Sequence, residues 1–337
     1  MKRILFLMVL FCMGILSGFA KKDNFSYTDG NGVTWGGYVS YDYETQKTEA
    51  SINTTSCNSE EVVVIPDEIT YAGKKYKVTK LGSVFSENKI IEKVTIPKTV
   101  ISLSSTFYGC SALSEVVNTN QLKSVSYAFD NCSSLKSIDL SSCEILGSGS
   151  FDGCSQLENV VLKVCKRIDM NAFFNNHGYC QKLKSIGDIS HCESIGDYAF
   201  EGCSSLISVD LSNCKTIGIS SFSGCSALES VGSTKLLANI PECAFNSCSN
   251  LQSIDLSNCT SIGRAAFVNC YKLKHLNLNK CTNISSSAFK GCGIEEIDLS
   301  SVKTIEDDAF SYCSSLTKVT GLKLIKSLPG GVFYRCI

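Results

Sequence analysis

Cysteine is the most reactive residue type in this sequence, and the chain carries 20 of them. Thiols at this density can form a disulfide framework, hold zinc or act as nucleophiles. Their spacing separates these chemistries. Eleven form one series, Cys110, Cys132, Cys154, Cys180, Cys203, Cys225, Cys248, Cys270, Cys292, Cys313 and Cys336. Six form a second, Cys143, Cys165, Cys192, Cys214, Cys259 and Cys281. Side chains repeated at this interval point the same way on successive turns of chain. Their Cβ atoms then lie about 4.8 Å apart, outside the roughly 3.5–4.5 Å that a disulfide prefers. Without Cys12, 19 cysteines remain, an odd number that cannot pair completely within one chain. There is no C-x-x-C, the closest pair is Cys243 and Cys248, and His177, His191 and His275 are far apart in sequence. Reduced cysteines packed in a core are therefore expected, with no metal and no cofactor.

No other grouping carries catalytic chemistry. The sequence lacks G-x-S-x-G, H-E-x-x-H and a phosphate-binding glycine loop, and no nucleophile is paired with a base, so a non-enzymatic role is expected. Formal net charge is -1. Such a balance disfavours nucleic acid as a partner, because phosphate binding needs a clustered basic surface.

The elements that position the cysteines are repeats. Phenylalanines fall at 85, 107, 129, 151, 173, 200, 222, 245, 267, 289, 310 and 333, at intervals of 22 residues or close to it, with one interval of 27. The unit that starts at Phe129 continues through Cys132, Leu135, Ile138, Leu140, Cys143 and Ile145, and the unit from Phe245 has the same order. Its L-x-x-I-x-L segment alternates at the end, so Ile138 and Leu140 face inward from a short strand while Ser137 and Asp139 face out. The segment around Tyr198-Ala199-Phe200-Glu201-Gly202 is expected to return the chain through a short helical or 3₁₀ turn. One unit cannot bury its apolar side alone. Stacking turns each position into a ladder, and fully burying a Phe or Leu contributes roughly 1.5–3 kcal/mol.

These units resemble the BspA-like leucine-rich repeat family of bacterial surface proteins. The resemblance rests on Ile195-Gly196-Asp197-Tyr198-Ala199-Phe200-Glu201-Gly202-Cys203 and Ile262-Gly263-Arg264-Ala265-Ala266-Phe267-Val268-Asn269-Cys270. It spans about residues 60–337. The family's proline after the strand survives at Pro97 and is mostly replaced by Ser-x-Cys, as at Ser257-Asn258-Cys259. The fold class expected is a leucine-rich repeat solenoid of the α/β type, made of short parallel strands with short helical or 3₁₀ turns. It comprises about twelve units over residues 81–337, the last incomplete, behind a β-rich cap over 21–80. The resemblance also implies adhesion to matrix or plasma proteins such as fibronectin and fibrinogen.

Residues 1–20 read as a secretory signal peptide: Lys2-Arg3, an apolar run from Ile4 to Leu16, then Gly18 and Ala20 at a cleavage position. The run is shorter than the roughly 20 residues of a spanning helix. Phe11 is too bulky to precede a lipidated Cys12. A secreted or cell-surface location without a membrane span is expected. Within the cap, Phe25, Tyr27, Val33, Trp35, Tyr38, Val39, Tyr41 and Tyr43 crowd around Asp29-Gly30-Asn31-Gly32, the pattern of a β-hairpin. A second strand pair is expected at Val62–Ile65 and Tyr76–Val78, turning at Ala72-Gly73-Lys74. The aromatic cluster either covers the first rung or binds sugar.

The outward strand positions are the candidate binding residues: Ser137, Asp139, Asn159, Ser208, Asp210, Ser253, Asp255, His275, Asn277, Glu296 and Asp298. They form a mildly acidic strip in which Asp255, Asn277 and Asp298 lie on nearby rungs, at a cost in repulsion unless a cation or basic partner relieves it. The expected function is contact with extracellular or surface proteins, matrix proteins among them. The alternatives are a self-assembling envelope component and a carbohydrate-binding accessory using Trp35. The segment Phe333-Tyr334-Arg335-Cys336-Ile337 lacks a polar closing repeat, from which either fraying of this end or weak self-association through it is expected.

Overall fold

The computed structural model describes residues 21–42, 47–57, 59–174 and 180–336. The expected signal peptide at 1–20, Tyr43 and His177 lie outside these residues.

The chain opens with β1 (Lys21–Thr28), β2 (Thr34–Asp42) and β3 (Lys47–Thr55), followed by β4 (Val62–Val64), β5 (Glu68–Tyr71) and β6 (Lys74–Leu81). β1 and β2 pair antiparallel around Asp29–Gly32, as the turn residues predict, with Trp35 opposite Tyr27. Five of these strands form one sheet in the order β1-β2-β3-β6-β5. The second hairpin differs from expectation. β6 pairs with β5, not with the Val62 segment, through a turn at Ala72 and Gly73, both in the left-handed region. β4 instead pairs in parallel with Lys93–Thr95, so the solenoid's strand ladder already begins at Val62. Its exposed Val62 and Val64 flank buried Val63, which is the inward position of that first rung.

Beyond the cap each unit contributes one rung, and each well-formed rung carries two short strands. The first row runs through Lys93–Thr95, Glu115–Val117, Ser137–Asp139, Asn159–Leu162 and Ser185–Gly187. The second, which the sequence pattern did not suggest, runs through Ser102–Ser104, Ser124–Ser126, Ile145–Leu146, Arg167–Ile168 and Ser194–Ile195. It resumes at Asn239–Ile240, Ser261–Ile262, Asn283–Ile284 and Thr304–Ile305. Both rows are parallel, with Ser137 opposite Asn159 and Ile262 opposite Ile284, and the first row slips once, between Asn159 opposite Ser185 and Leu162 opposite Gly187.

The core is a set of ladders. Phe129, Cys132, Leu135, Ile138, Leu140, Cys143 and Leu146 of one rung are all buried. From Phe85 to Phe333 the phenylalanine rings stack with centroids 5.0–5.8 Å apart and planes within 18° of parallel. That is the offset geometry aromatic rings prefer, contributing about 0.5–1.5 kcal/mol per pair beyond burial.

The expected helical turns are absent among the described residues apart from one 3₁₀ turn at Leu322–Leu324. The reason is backbone handedness. Each well-formed unit places a left-handed residue two positions before its Phe and another two after: Tyr127 and Asn131 around Phe129, Tyr198 and Gly202 around Phe200, Ala265 and Asn269 around Phe267. A right-handed helix cannot run through a left-handed residue, so the segment folds as two tight turns. Gly or Asn at most of the second positions bears that conformation at low cost.

Candidate binding face

The eleven candidate residues lie along one side of the solenoid, on the first strand row and its continuation. Ser137, Asp139, Asn159, Ser208, Asp210, Ser253, His275, Asn277, Glu296 and Asp298 are exposed, and Asp255 is half-buried. Between them Ile138, Val160, Val209, Ile254 and Ile297 point inward and are buried. The row is hydrogen-bonded at Ser137–Asn159–Ser185, as a bridge at Ser208–Ser230, and again at Glu296–Lys318. At Ser253, Asp255, His275 and Asn277 the alternation of facing persists, but the chain forms no regular strand there.

The carboxylates on this face are turn-forming groups. Asp139 accepts the Ser141 N–H at 2.9 Å, Asp210 that of Ser212 at 2.9 Å, Asp255 that of Ser257 at 3.0 Å and Asp298 that of Ser300 at 3.0 Å. Asn277 does the same for Asn279 at 3.1 Å. These are Asx turns, in which a short side chain imitates a backbone turn. The expected repulsion among them is corrected by this bonding. Hydrogen bonds from Ser257 and Ser300 hold the Asp255 and Asp298 carboxyls below the usual carboxylate range, favouring the charged form. The Asx turn also accounts for the missing prolines. In the Pro97 unit the turn opens at Pro97 itself, whose carbonyl accepts the Val100 N–H; in the Asp-Leu-Ser units the Asp side chain fixes it. The spacing Asp-Leu-Ser, which recurs at Asp139, Asp210, Asp255 and Asp298, was a legible signal for this.

The glutamates of this face are paired, while its aspartates keep their negative charge. Lys93–Glu115, Lys184–Glu158, Lys274–Glu295 and Lys318–Glu296 pair between neighbouring rungs at 2.8–2.9 Å. Along the second row, Lys166 meets Glu144 at 2.9 Å and Lys215 meets Glu193 at 2.7 Å, and each lysine depresses its partner's carboxyl pKa. Exposed pairs like these are screened by water and contribute little to stability. Charge alternation at the repeat interval was the signal for them.

The cysteines of both series face inward. In ten of the eleven of the long series Sγ donates to the carbonyl of the Phe one rung back, Cys132 to Phe107 at 3.1 Å and Cys225 to Phe200 at 3.1 Å. In the short series it donates to the carbonyl two residues on, Cys143 to Ile145 at 3.1 Å. Cysteine thus fills a small apolar space and satisfies a buried acceptor. Burial pushes these thiols up, to about 12 for Cys110, Cys143 and Cys192. An unreactive, protonated thiol is the result.

Trp35, the candidate sugar platform, is fully buried and its indole N–H donates to Asp29 at 2.9 Å. Sugar binding through Trp35 is thereby excluded, since neither ring face is accessible. Among the described residues no group of three His, Cys, Asp or Glu is placed to hold a metal, and no helix is long and apolar enough to cross a membrane.

No curated protein matches the sequence. Among solved structures, a leucine rich cell surface protein from Faecalibacterium prausnitzii is similar at 23% identity and a TM-score of 0.37, over 88% of this chain and 95% of that one. A leucine-rich repeat protein from Bacteroides ovatus is similar at 21% identity and a TM-score of 0.41, over 89% and 91%. The six-copy pattern of the BspA type leucine rich repeat region matches residues 79–186, 175–295 and 239–337. With the stacked Phe, Cys, Leu and Ile ladders running through the same residues, the chain belongs to the BspA-type leucine-rich repeat family.

Proposed function

We propose that this protein is a non-enzymatic binding protein, secreted or held at the cell surface, that contacts extracellular or surface proteins through its first strand row. Family membership supports a binding or adhesive role in general. The observation that carries the reading is the exposed row itself. Ser137, Asn159 and Ser185 sit side by side in register, and the same small polar types recur at Ser208, Ser230 and Ser253. Short side chains leave a shallow, even surface with little rotamer entropy to lose, which suits contact with a broad protein partner. The Asx turns and the in-register strand pairing hold that surface in place, so binding requires little reordering.

The test is a binding screen of the purified chain against immobilised fibronectin, fibrinogen and other matrix proteins. Saturable binding that is weakened by bulky substitutions along the row, such as Ser208→Trp and Ser230→Trp, supports the proposal. Binding to none of them, or binding indifferent to those substitutions, overturns it.

A further inference from the structure

Three departures from the repeat converge at one place. The residue after the long-series cysteine is serine in most units, as at Ser111, Ser133, Ser226 and Ser249, but it is Tyr271 after Cys270. The next unit is one residue short, with Cys292-Gly293-Ile294 where its neighbours read Cys270-Tyr271-Lys272-Leu273 and Cys313-Ser314-Ser315-Leu316. In the unit after that, the left-handed position two beyond the Phe, usually Gly or Asn, is Tyr312 at φ 61°.

The missing residue opens a cleft between the rungs. Gly293 drops against the previous rung so closely that a Cβ there would lie 2.1 Å from the Tyr271 carbonyl oxygen, so no side chain can refill the gap. The cleft holds about 470 Å³ and is lined by Asn269, Tyr271, Lys290, Tyr312, Ser314 and Ser315 together with the Gly291–Gly293 backbone. Small-molecule sites span roughly 300–1,000 Å³. Tyr271 is 59% exposed and its ring has no aromatic or cationic partner among the described residues. On the other wall Lys290 Nζ stands 5.3 Å from the Tyr312 ring centroid, and the Arg335 guanidinium lies 5.4 Å from Tyr312 and 5.5 Å from Tyr334. The lining contains no carboxylate.

We propose that this cleft binds an acidic sugar residue of a glycan. Its apolar ring face packs on Tyr271, its hydroxyls meet Asn269, Ser314 and Ser315, and its acid group meets Lys290 with Arg335 behind it. Aromatic face, hydroxyl-bearing polar groups and unpaired positive charge are the complement of a uronic or sialic acid. An acidic peptide would use the cations but has no need of the open tyrosine face. The site is separate from the strand-row contact surface and does not depend on it.

The test is calorimetric titration of the full chain with oligogalacturonate and sialyllactose, with methyl-esterified oligogalacturonate and lactose as uncharged counterparts and oligoglutamate as the acidic peptide. At least one acidic sugar is expected to bind saturably, with its uncharged counterpart about tenfold weaker, the range of one charge-assisted hydrogen bond. Tyr271→Ser, which installs the residue other units carry, should weaken binding about tenfold with unchanged melting. Lys290→Gln should weaken it and flatten its salt dependence. Inserting a serine after Gly293 restores the family spacing and should abolish binding. The proposal is overturned by binding to neither acidic sugar, by equal binding of the esterified form, by indifference to Tyr271→Ser, or by oligoglutamate binding as tightly as the sugars.

Discussion

The Trp35 indole stands edge-on to the Phe85 ring, with centroids 6.3 Å apart and planes 83° from parallel. Every later phenylalanine of the ladder stacks nearly parallel on the one before it, so this is where the ladder changes geometry. Edge-to-face contact suits an end, because the indole edge covers the first ring's exposed face without itself presenting a face to be covered. The aromatic crowding in the cap is thereby explained as closure of the solenoid.

Removing that closure should be costly. Trp35→Ala leaves a cavity against Phe85 and takes the indole donor from Asp29 Oδ2, while Oδ1 keeps the Asn31 and Val33 N–H groups, and a loss of about 3–5 kcal/mol is expected in denaturant unfolding. As the single tryptophan, Trp35 should emit at short wavelength in the native state and be insensitive to added glycans. Red-shifted native emission, or quenching by sugars, would place the indole in solvent and refute the cap.

Inside the stack, Phe222 lies 5.2 Å from Phe200 and 5.4 Å from Phe245, with no exposed surface. Phe222→Ala should destabilise by about 3–5 kcal/mol, and Ser230→Ala, on the exposed strand position, by no more than about 0.5 kcal/mol. Comparable melting of the two variants would contradict the assignment of inward and outward faces.

The thiols should be nearly inert while the protein is folded. Alkylation at mild pH is expected to reach Cys243 and Cys336 first, since these are part-buried and every other described cysteine is buried. Nearly all thiols should become reactive in denaturant without reductant. A low count under those conditions would reveal disulfides and remove the Sγ–H donors that the Phe carbonyls accept.

Periodicity made the core legible before any coordinates, because a residue repeated at the rung interval must share one environment: Phe129, Leu135 and Ile138 are buried for the same reason as Phe245, Leu251 and Ile254. Exposure of the candidate face followed from the same alternation. What was hidden depends on backbone handedness and on neighbours in space. Apolar spacing around Ala199-Phe200 fits a helical turn equally well, and only left-handed Tyr198 and Gly202 decide against it. The second strand row has two-residue strands at several rungs, such as Ile145–Leu146, too short to show alternation. The cleft beside Gly293 appeared in sequence only as a 21-residue interval between Phe289 and Phe310.

Asp130 and Asp152 occupy the same position on successive rungs, directly after Phe129 and Phe151. Burial raises the Asp130 carboxyl to about 6, with Glu87 adding to the shift against a hydrogen bond from Asn131. Burial raises Asp152 to about 7, with Asp130 adding repulsion. Folded values above the unfolded ones mean that the folded state binds these protons more tightly. Their contribution is fully present below about pH 4 and is lost as pH rises through about 6 to 7. Stability should therefore fall by about 1–3 kcal/mol from mildly acidic to mildly alkaline pH, reduced from the full shift because both groups are only partly screened from water. The double variant Asp130→Asn and Asp152→Asn should flatten this part of the profile. A wild-type profile that is flat or rises over this range would refute the assignment.

Charge on the strand row can be varied without disturbing its turns, because the protein already contains the control. Asn277 closes the same turn as Asp210, Asp255 and Asp298, accepting the Asn279 N–H at 3.1 Å where those three accept a serine N–H at 2.9–3.0 Å. The amide oxygen of Asn replaces the carboxylate oxygen as acceptor, so changing all three Asp to Asn should leave melting nearly unchanged while removing three negative charges. Binding to a basic partner should then weaken and lose part of its salt dependence, since each removed charge takes away a screened attraction. Binding to a neutral partner should be unaffected, which separates charge from shape in the proposed contact. Two results would move the contact off this row: unaltered affinity for a basic partner, or an equal loss when Glu144 and Glu193 on the second row are neutralised instead.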